Sequence, residues 1–508
     1  MAEGISPAPR GTALLRLEAY GIAILAAAVA FYVGTVAIGI HGTINWDGLS
    51  ALAHAYDVLF KEPSINFALV GFVEAPAPAL VYLPFVAVAP MAAQTGMPGP
   101  AFGAVMLGIA SLLLCGFGQT LRLPRWLRIP IVLIVILHPV TLSHAAMGSP
   151  LVLLLVAVIG IAKSLAAWGD YGRLRDLIGC SLYCAVACLT RYDAVFLVAA
   201  AAVYVGIRSG MGKEGGYSRV EGLLITFLLP VIYFGGLWIG ANWLIMGDPW
   251  HFLRGLGDTA TQSTDAWQAA VLTLPLLVFP FCYVLAYHEL RPFGPWRGGA
   301  AAALLFATAV ALPMIWPGAF TQQGGSEIVW ASLGTLAVTA LAVGPVLAMG
   351  VAAGYLHAPP EPKERRSPLV GTLVLIVATI ALLIAVRPLG GVLPATAGDV
   401  FRGHVAFAHS AAAEQRVAQR LANTMGPGTH ATIVGWPGFA IALYSGQTRY
   451  CTVIPDERPD VEVAKRLKPG DALLLIGQEA GWRAATAPNR LEREWASGNW
   501  TCYRVHSP

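Results

Sequence analysis

Charge is what this chain has least of. Only 12% of its 508 residues are Asp, Glu, Lys or Arg, against 56% hydrophobic ones, and the net charge is +4. Water-soluble domains carry roughly a quarter charged residues, so an ordinary soluble fold is excluded. The basic residues are spread over short loops and form no patch that would track phosphates, which excludes nucleic acid as a partner. Cysteine is sparse too. Of the seven, Cys115, Cys180, Cys184, Cys188 and Cys282 lie in apolar stretches and Cys451 and Cys502 in the polar C-terminal part, and none shows metal-site spacing. Cys180, Cys184 and Cys188 share one helical face but have no His or acid beside them, so they read as small packing residues.

What the chain has instead is long apolar runs. A bilayer core of about 30 Å takes roughly 20 residues of helix. Runs that meet this need fall at about 17–40, 100–121, 129–145, 150–168, 176–190, 194–208, 220–246, 267–288, 298–316, 329–356 and 368–387. They predict an α-helical polytopic membrane protein with about eleven transmembrane helices. The first run is too long for a signal-peptide core and lacks a convincing cleavage site, so it is expected to stay as an anchor. A twelfth run, 77–95, contains Pro78, Pro84 and Pro90, with Pro76 just before it. Those prolines predict a disrupted helix.

Loop charge places that run. With a cytoplasmic N-terminus and no crossing at 77–95, the inner loops hold Arg10 and Arg16; Arg122, Arg125 and Arg128; Lys163, Arg173 and Arg175; Arg208, Lys213 and Arg219; Arg291 and Arg297; and Lys363, Arg365 and Arg366. The outer loops hold only Lys61, Arg191 and Arg254, with Arg387 at a span end. This is the positive-inside asymmetry of a bacterial inner-membrane protein. A crossing at 77–95 would invert every later loop, so that segment is expected to be re-entrant or interfacial.

Beyond Arg387 the composition becomes that of a soluble domain. Residues 1–387 are therefore read as a transmembrane domain whose 41–95 loop holds juxtamembrane helices, and 388–508 as a small periplasmic α/β domain. Its patterning predicts a helix over Val405–Thr424, strands at Ala431–Trp436, Arg449–Ile454, Ala472–Ile476 and Thr501–His506, and a helix over Pro459–Leu467. Cys451 and Cys502 would meet if their strands are neighbours, and the sequence leaves that pairing open.

The first outer loop is the most informative segment. Asp47, Ser50, His54, Asp57 and Lys61 follow one another at helical spacing, while Leu49, Leu52, Tyr56 and Leu59 line another face. An amphipathic helix lying on the membrane is predicted. Asp47 stands at its start, where an acid also serves as an N-cap.

Asn45-Trp46-Asp47-Gly48, the stretch Glu74-Ala75-Pro76-Ala77-Pro78-Ala79-Leu80-Val81-Tyr82-Leu83-Pro84, Thr190-Arg191-Tyr192-Asp193-Ala194 and Asn242-Trp243-Leu244-Ile245-Met246-Gly247-Asp248-Pro249 together resemble the lipid-linked glycosyltransferases of the GT-C superfamily. Aminoarabinose transferases and protein O-mannosyltransferases are among its relatives. Such enzymes carry an acid, often an acidic pair, just after the first span, then juxtamembrane helices and a Pro-rich segment. Here Gly48 replaces the second acid. The resemblance covers roughly residues 15–260, and beyond them it is one of layout.

The resemblance implies a GT-C-like fold and a polyprenyl-phosphate-linked sugar as donor, with a lipid, glycan or protein acceptor and membrane lipids as surroundings. Inverting transfer needs a carboxylate to take the proton of the acceptor hydroxyl. Asp47 is the first candidate, with Glu74 and Asp57 as reserves for a second carboxylate. The departing phosphate needs a cation in a low-dielectric cavity. Arg191 is the first candidate, with Lys61 and Arg254 behind it, although each also suits a lipid-headgroup anchor. His54, Asp193, Tyr82, His144 and Asp248 are expected around the cavity, although a lone His is more often structural and Asp248-Pro249 suits a turn. The sequence points to no cofactor with certainty; a divalent metal is open to it, yet no dense ligand cluster supports one. Two other readings share the hydropathy: a secondary transporter or lipid flippase, and a non-catalytic assembly protein on the same scaffold. No inverted repeat or pair of interrupted helices favours the transporter.

Overall fold

A computed structural model describes residues 11–39, 42–72, 74–121, 123–210, 217–252, 349, 409–426, 429–435, 437–454, 461–476, 482, 486 and 490–506. The spans expected after 246 lie outside the described residues. The earlier seven correspond to α1 (Gly11–Gly39), α5 (Pro98–Thr120), the pair α6 (Arg125–Leu137) and α7 (Pro139–Ala146), α8 (Leu151–Tyr171), α9 (Leu174–Thr190), α10 (Val195–Gly210) and α11 (Tyr217–Met246). Among the described residues, α1, α5, α8 and α11 are each long and apolar enough to cross a membrane. The run expected at 129–145 is not one helix, because Pro139 has no N–H to carry the ladder past His138.

The bundle is built on α8, whose residues from Leu151 to Leu165 are buried almost all round. Helix α1 packs along α5, and α9 lies between α8 and α11. Helix α11 is the opposite of α8: Leu229, Ile232, Tyr233 and Leu237 face outward, as an apolar helix does only against lipid or more protein. At one end of the bundle Glu18 of α1 pairs with Arg125 at 2.7 Å and with the buried Arg128, tying α1 to α6. The loop containing Asp47 and Glu74 lies at the other end.

Two longer helices lie in that loop. The first, α2 (Trp46–Phe60), is capped by Asn45, whose side chain accepts a hydrogen bond from Gly48 N at 2.9 Å. Asn45 therefore fills the N-cap role weighed for Asp47, and Asp47 lies in the first turn beyond it. One face of α2 is covered by protein. Leu49, Ser50, Ala51, Leu52, Ala53, Ala55 and Val58 are all buried, with α3 on one side and the C-terminal part on another.

The second helix, α3 (Pro76–Val88), is regular, contrary to the disruption its prolines predict. Pro76 and Pro78 fall in the first turn, where no intrahelical N–H is lost. Pro84 is accommodated inside the helix, and the break comes at Ala89, before the short α4 (Pro90–Ala93). Thirteen residues give a length of about 20 Å, short of the ~30 Å hydrocarbon core.

Among the described residues, the C-terminal part is a five-stranded mixed sheet with helices. Strands β3 (Ala431–Val434), β4 (Cys451–Ile454), β5 (Ala472–Ile476), β6 (Leu491–Ser497) and β7 (Trp500–Val505) lie in the order β4-β3-β5-β7-β6. The first three run parallel, and β7 and β6 add antiparallel. Central β5 is a continuous Ala-Leu-Leu-Leu-Ile run because both its faces are covered. The helices are α12 (Ala412–Thr424), α13 (Gly438–Tyr444) and α14 (Val461–Arg466). Strand β6 and helix α13 were not foreseen. Strands β3 and β5 separate β4 from β7, so Cys451 and Cys502 stand roughly 14 Å apart at ~4.8 Å per strand and remain free thiols. The pairing left open by the sequence is thereby excluded.

Two contacts join this sheet domain to the loop. Strand β1 (Thr43–Ile44) pairs antiparallel with β2 (His409–Ser410), and Ala411 N donates to Gly42 O at 2.8 Å. Helix α13 packs across α2. The C-terminal domain therefore grips the chain immediately before Asn45 and again along the helix that follows.

Candidate functional site

At the start of α2 the Asp47 charge acts on the Glu74 carboxyl, and beside them stands Ser50. Its hydroxyl lies 3.1 Å from Glu74 Oε2 and 3.0 Å from Asp47 O. His54, one turn further along α2, places Nε2 3.9 Å from Glu74 Oε1, while its Nδ1 meets Leu69 O at 3.2 Å. Phe439 of α13 closes over the imidazole edge-on, with ring centroids 4.9 Å apart.

Glu74 is held from its other side by residues that sequence reasoning did not single out. Tyr192 donates its hydroxyl to Glu74 O at 2.9 Å and accepts from Trp238 Nε1 at 3.1 Å. Trp238 stacks in turn on Phe72, two residues before Glu74, with the planes 2° from parallel. The signal for Tyr192 was in the sequence, inside the Thr190-Arg191-Tyr192-Asp193-Ala194 stretch. Nothing local marked Phe72 or Phe439.

Burial dominates the electrostatics. It pushes the Glu74 carboxyl up to about 8, helped by the Asp47 charge and opposed by the Ser50 contact. Burial also pushes His54 down to about 4. At neutral pH the close His54–Glu74 approach is therefore an acid facing a neutral imidazole, not an ion pair. Asp47 sits in the first turn of α2, where the helix dipole favours a carboxylate.

The floor of the site explains Gly48. The start of α2 rests on the turn after α7, whose Gly148 O also accepts from Tyr82 at 2.6 Å. Tyr82 is fully buried and stacked on Phe102, so it supports that turn from below.

The remaining candidates separate into near and far. Arg191 ends α9 directly before Tyr192 and lies within electrostatic reach of His144, which is buried in α7. Asp57 and Lys61 pair with each other at 2.9 Å, further along α2, where their charges act on Cys451 of the C-terminal domain. Burial raises Asp57 against the pull of Lys61. Asp248 accepts from Trp250 N at 3.0 Å, forming a turn after α11. Arg254 and the Asp193 side chain lie outside the described residues. Among the described residues, no three His, Cys, Asp or Glu side chains gather as ligands for one ion.

No family model and no curated protein matches the chain. Solved structures do. ArnT from Cupriavidus metallidurans in the apo state matches with a TM-score of 0.50 and 13% identity, over 96% of this chain and 99% of that one. ArnT bound to undecaprenyl phosphate matches with a TM-score of 0.47 and 12% identity, over the same shares of the two chains. The chain thus shares the fold of ArnT, along essentially the whole length of both chains.

Proposed function

We propose that this chain is an integral-membrane glycosyltransferase. It moves a sugar from a polyprenyl-phosphate donor to an acceptor on the periplasmic side of the bacterial inner membrane, with inversion. In this reading the N-terminus is cytoplasmic, and residues 388–508 form a periplasmic domain. The observation that supports it most directly is the buried Glu74 carboxyl beside the start of α2, bonded to Ser50 and within reach of the Asp47 charge. The fold shared with ArnT adds a scaffold of the right kind, although fold alone fixes no substrate.

Each residue has a task. Asp47 is the base: its carboxylate takes the proton as the acceptor oxygen bonds to the anomeric carbon and the bond from that carbon to the phosphate oxygen breaks. The departing phosphate keeps the electron pair, and Arg191, one residue from the Tyr192 anchor, is the cation that stabilises it. Glu74 replaces the acid that Gly48 cannot supply, reaching the site from the far end of the loop. Asp57 and Lys61, already paired, hold α2 against the C-terminal domain.

Asp47→Asn tests the proposal in full-length protein reconstituted with a polyprenyl-phosphate-linked sugar. Loss of a positioned base costs typically 10²–10⁴-fold in rate, so transfer should fall by at least ~100-fold while thermal stability is kept. Undiminished transfer by the variant would sink the assignment of Asp47. Donor-independent flipping by the wild type would favour a transporter instead.

A further inference from the structure

Ser50 has two oxygen neighbours and one hydrogen to give. A carbonyl oxygen only accepts, so the contact with Asp47 O at 3.0 Å uses the serine proton. Turned the other way, the same hydroxyl donates to Glu74 Oε2 at 3.1 Å. The same logic fixes His54. Leu69 O only accepts, so Nδ1 holds the hydrogen, and the lone pair of Nε2 points toward Glu74 Oε1. Glu74 Oε1 is buried and has no hydrogen-bond partner.

We infer that Glu74 presents a carboxylic acid O–H at Oε1 to the lone pair of His54, and that His54 Nε2 receives its proton during turnover. The inference rests on the glycosyltransferase reading for its role, though not for its geometry. In the step itself the Glu74 O–H bond breaks and an Nε2–H bond forms, giving a carboxylate and an imidazolium. The imidazolium then releases its proton to water. Glu74, now a carboxylate, takes over the proton that Asp47 received from the acceptor, and Asp47 is restored as a base. No electrons are exchanged. The 3.9 Å separation is crossed by a shift of about 1 Å or by one intervening water.

The surroundings suit this role. Asp47 and Ser50 face Glu74 from α2, the Tyr192 hydroxyl fixes its backbone, and Trp238 and Phe72 wall off that side. His54 meets Leu69 O and the Phe439 ring, and the charge of Lys61, one helix turn or more away, disfavours a lasting imidazolium. An imidazole that takes a proton and gives it up quickly is what a relay needs.

Infrared difference spectroscopy on the full-length protein in lipid nanodiscs tests the proton directly. Wild type should show a carboxylic-acid band at pH 7 that Glu74→Gln lacks. Ser50→Ala should move it to higher frequency, and in His54→Leu it should vanish at a pH about one unit lower, because the lone pair that favours the protonated acid is gone. A wild type without the band, or a titration unchanged by His54→Leu, overturns the inference. In transfer assays His54→Leu should lower kcat about 100-fold and leave KM for the donor within about twofold. His54→Gln, which fills a similar space but cannot take up a proton, should behave alike in transfer and covers the case in which His54→Leu fails to fold. Normal transfer by a folded His54→Gln would equally overturn the relay. Absence of transfer by wild type would reject the glycosyltransferase reading, while the infrared result would still decide how Glu74 holds its proton.

Discussion

A Cβ on Gly48 would stand 2.6 Å from the carbonyl oxygen of Gly148. Neither backbone can retreat. Gly148 has φ +67, its oxygen is held by Tyr82, and Gly48 N is bonded to the Asn45 cap. Gly48→Ala should therefore cost about 1–3 kcal/mol by overpacking. Gly48→Asp, which restores the acidic pair of the family pattern, should cost more. Thermal unfolding of the purified full-length protein checks both, and a Gly48→Asp variant with unchanged Tm would show that the second acid was not excluded by space.

The Asp57–Lys61 pair lies along the same helix but faces the C-terminal domain, so its chemistry should be separable from that of Asp47. Asp57→Asn is expected to change stability by about 1 kcal/mol, the scale of a partly exposed ion pair. Transfer should stay within about twofold of wild type. A loss comparable to that of Asp47→Asn would move the second carboxylate from Glu74 to Asp57.

The helix under these residues was readable because Asp47, Ser50, His54, Asp57 and Lys61 keep a 3.6-residue rhythm through Trp46–Phe60. The cap was harder, since Asn45 and Asp47 are both capping residues two positions apart and only the backbone decides between them. What brings Glu74 onto Ser50 was not readable at all. That closure depends on Tyr192, Trp238 and Phe72, from segments distant in sequence. In the C-terminal domain the apolar run of β5 announced itself. Strand β6, Leu-Glu-Arg-Glu-Trp-Ala-Ser, is an edge strand with charged side chains outward, and it lacks the apolar alternation that marks a strand. The Gly498-Asn499 turn joining it to β7 was its one local signal.

Glu74 also fixes a pH dependence of stability. In the unfolded chain its carboxyl ionises near 4.5, and in the folded protein near 8. Below the lower value both states hold the proton and the group is neutral to stability. Between the two, only the unfolded chain releases it, so the folded state loses stability as pH rises, and the full cost is reached above about 8. Gln cannot ionise. Glu74→Gln should thus match wild type near pH 4 and exceed it by on the order of 3 kcal/mol near pH 9. His54 titrates in the opposite sense, its contribution being lost as pH falls toward about 4, and it does so in both proteins. Unfolding midpoints measured across pH decide the sign; a variant that gains nothing at alkaline pH would mean that Glu74 is ionised in the folded state.

Cys451 and Cys502 belong to the same buried face of the sheet, yet two strands keep them apart. A disulfide needs Cα atoms within about 7 Å, and the ladder between β4, β3, β5 and β7 would have to be dismantled to bring them there. An oxidising compartment should therefore leave both as thiols. Burial, before any neighbouring charge, pushes Cys451 up to about 11 and Cys502 up to about 12, so little thiolate exists at neutral pH. Maleimide should label neither residue in the folded protein and both after denaturation without reductant, and reductant should leave electrophoretic mobility unchanged. Labelling that requires reductant after denaturation would mean the two sulfurs had met, and with them that the strand order is wrong.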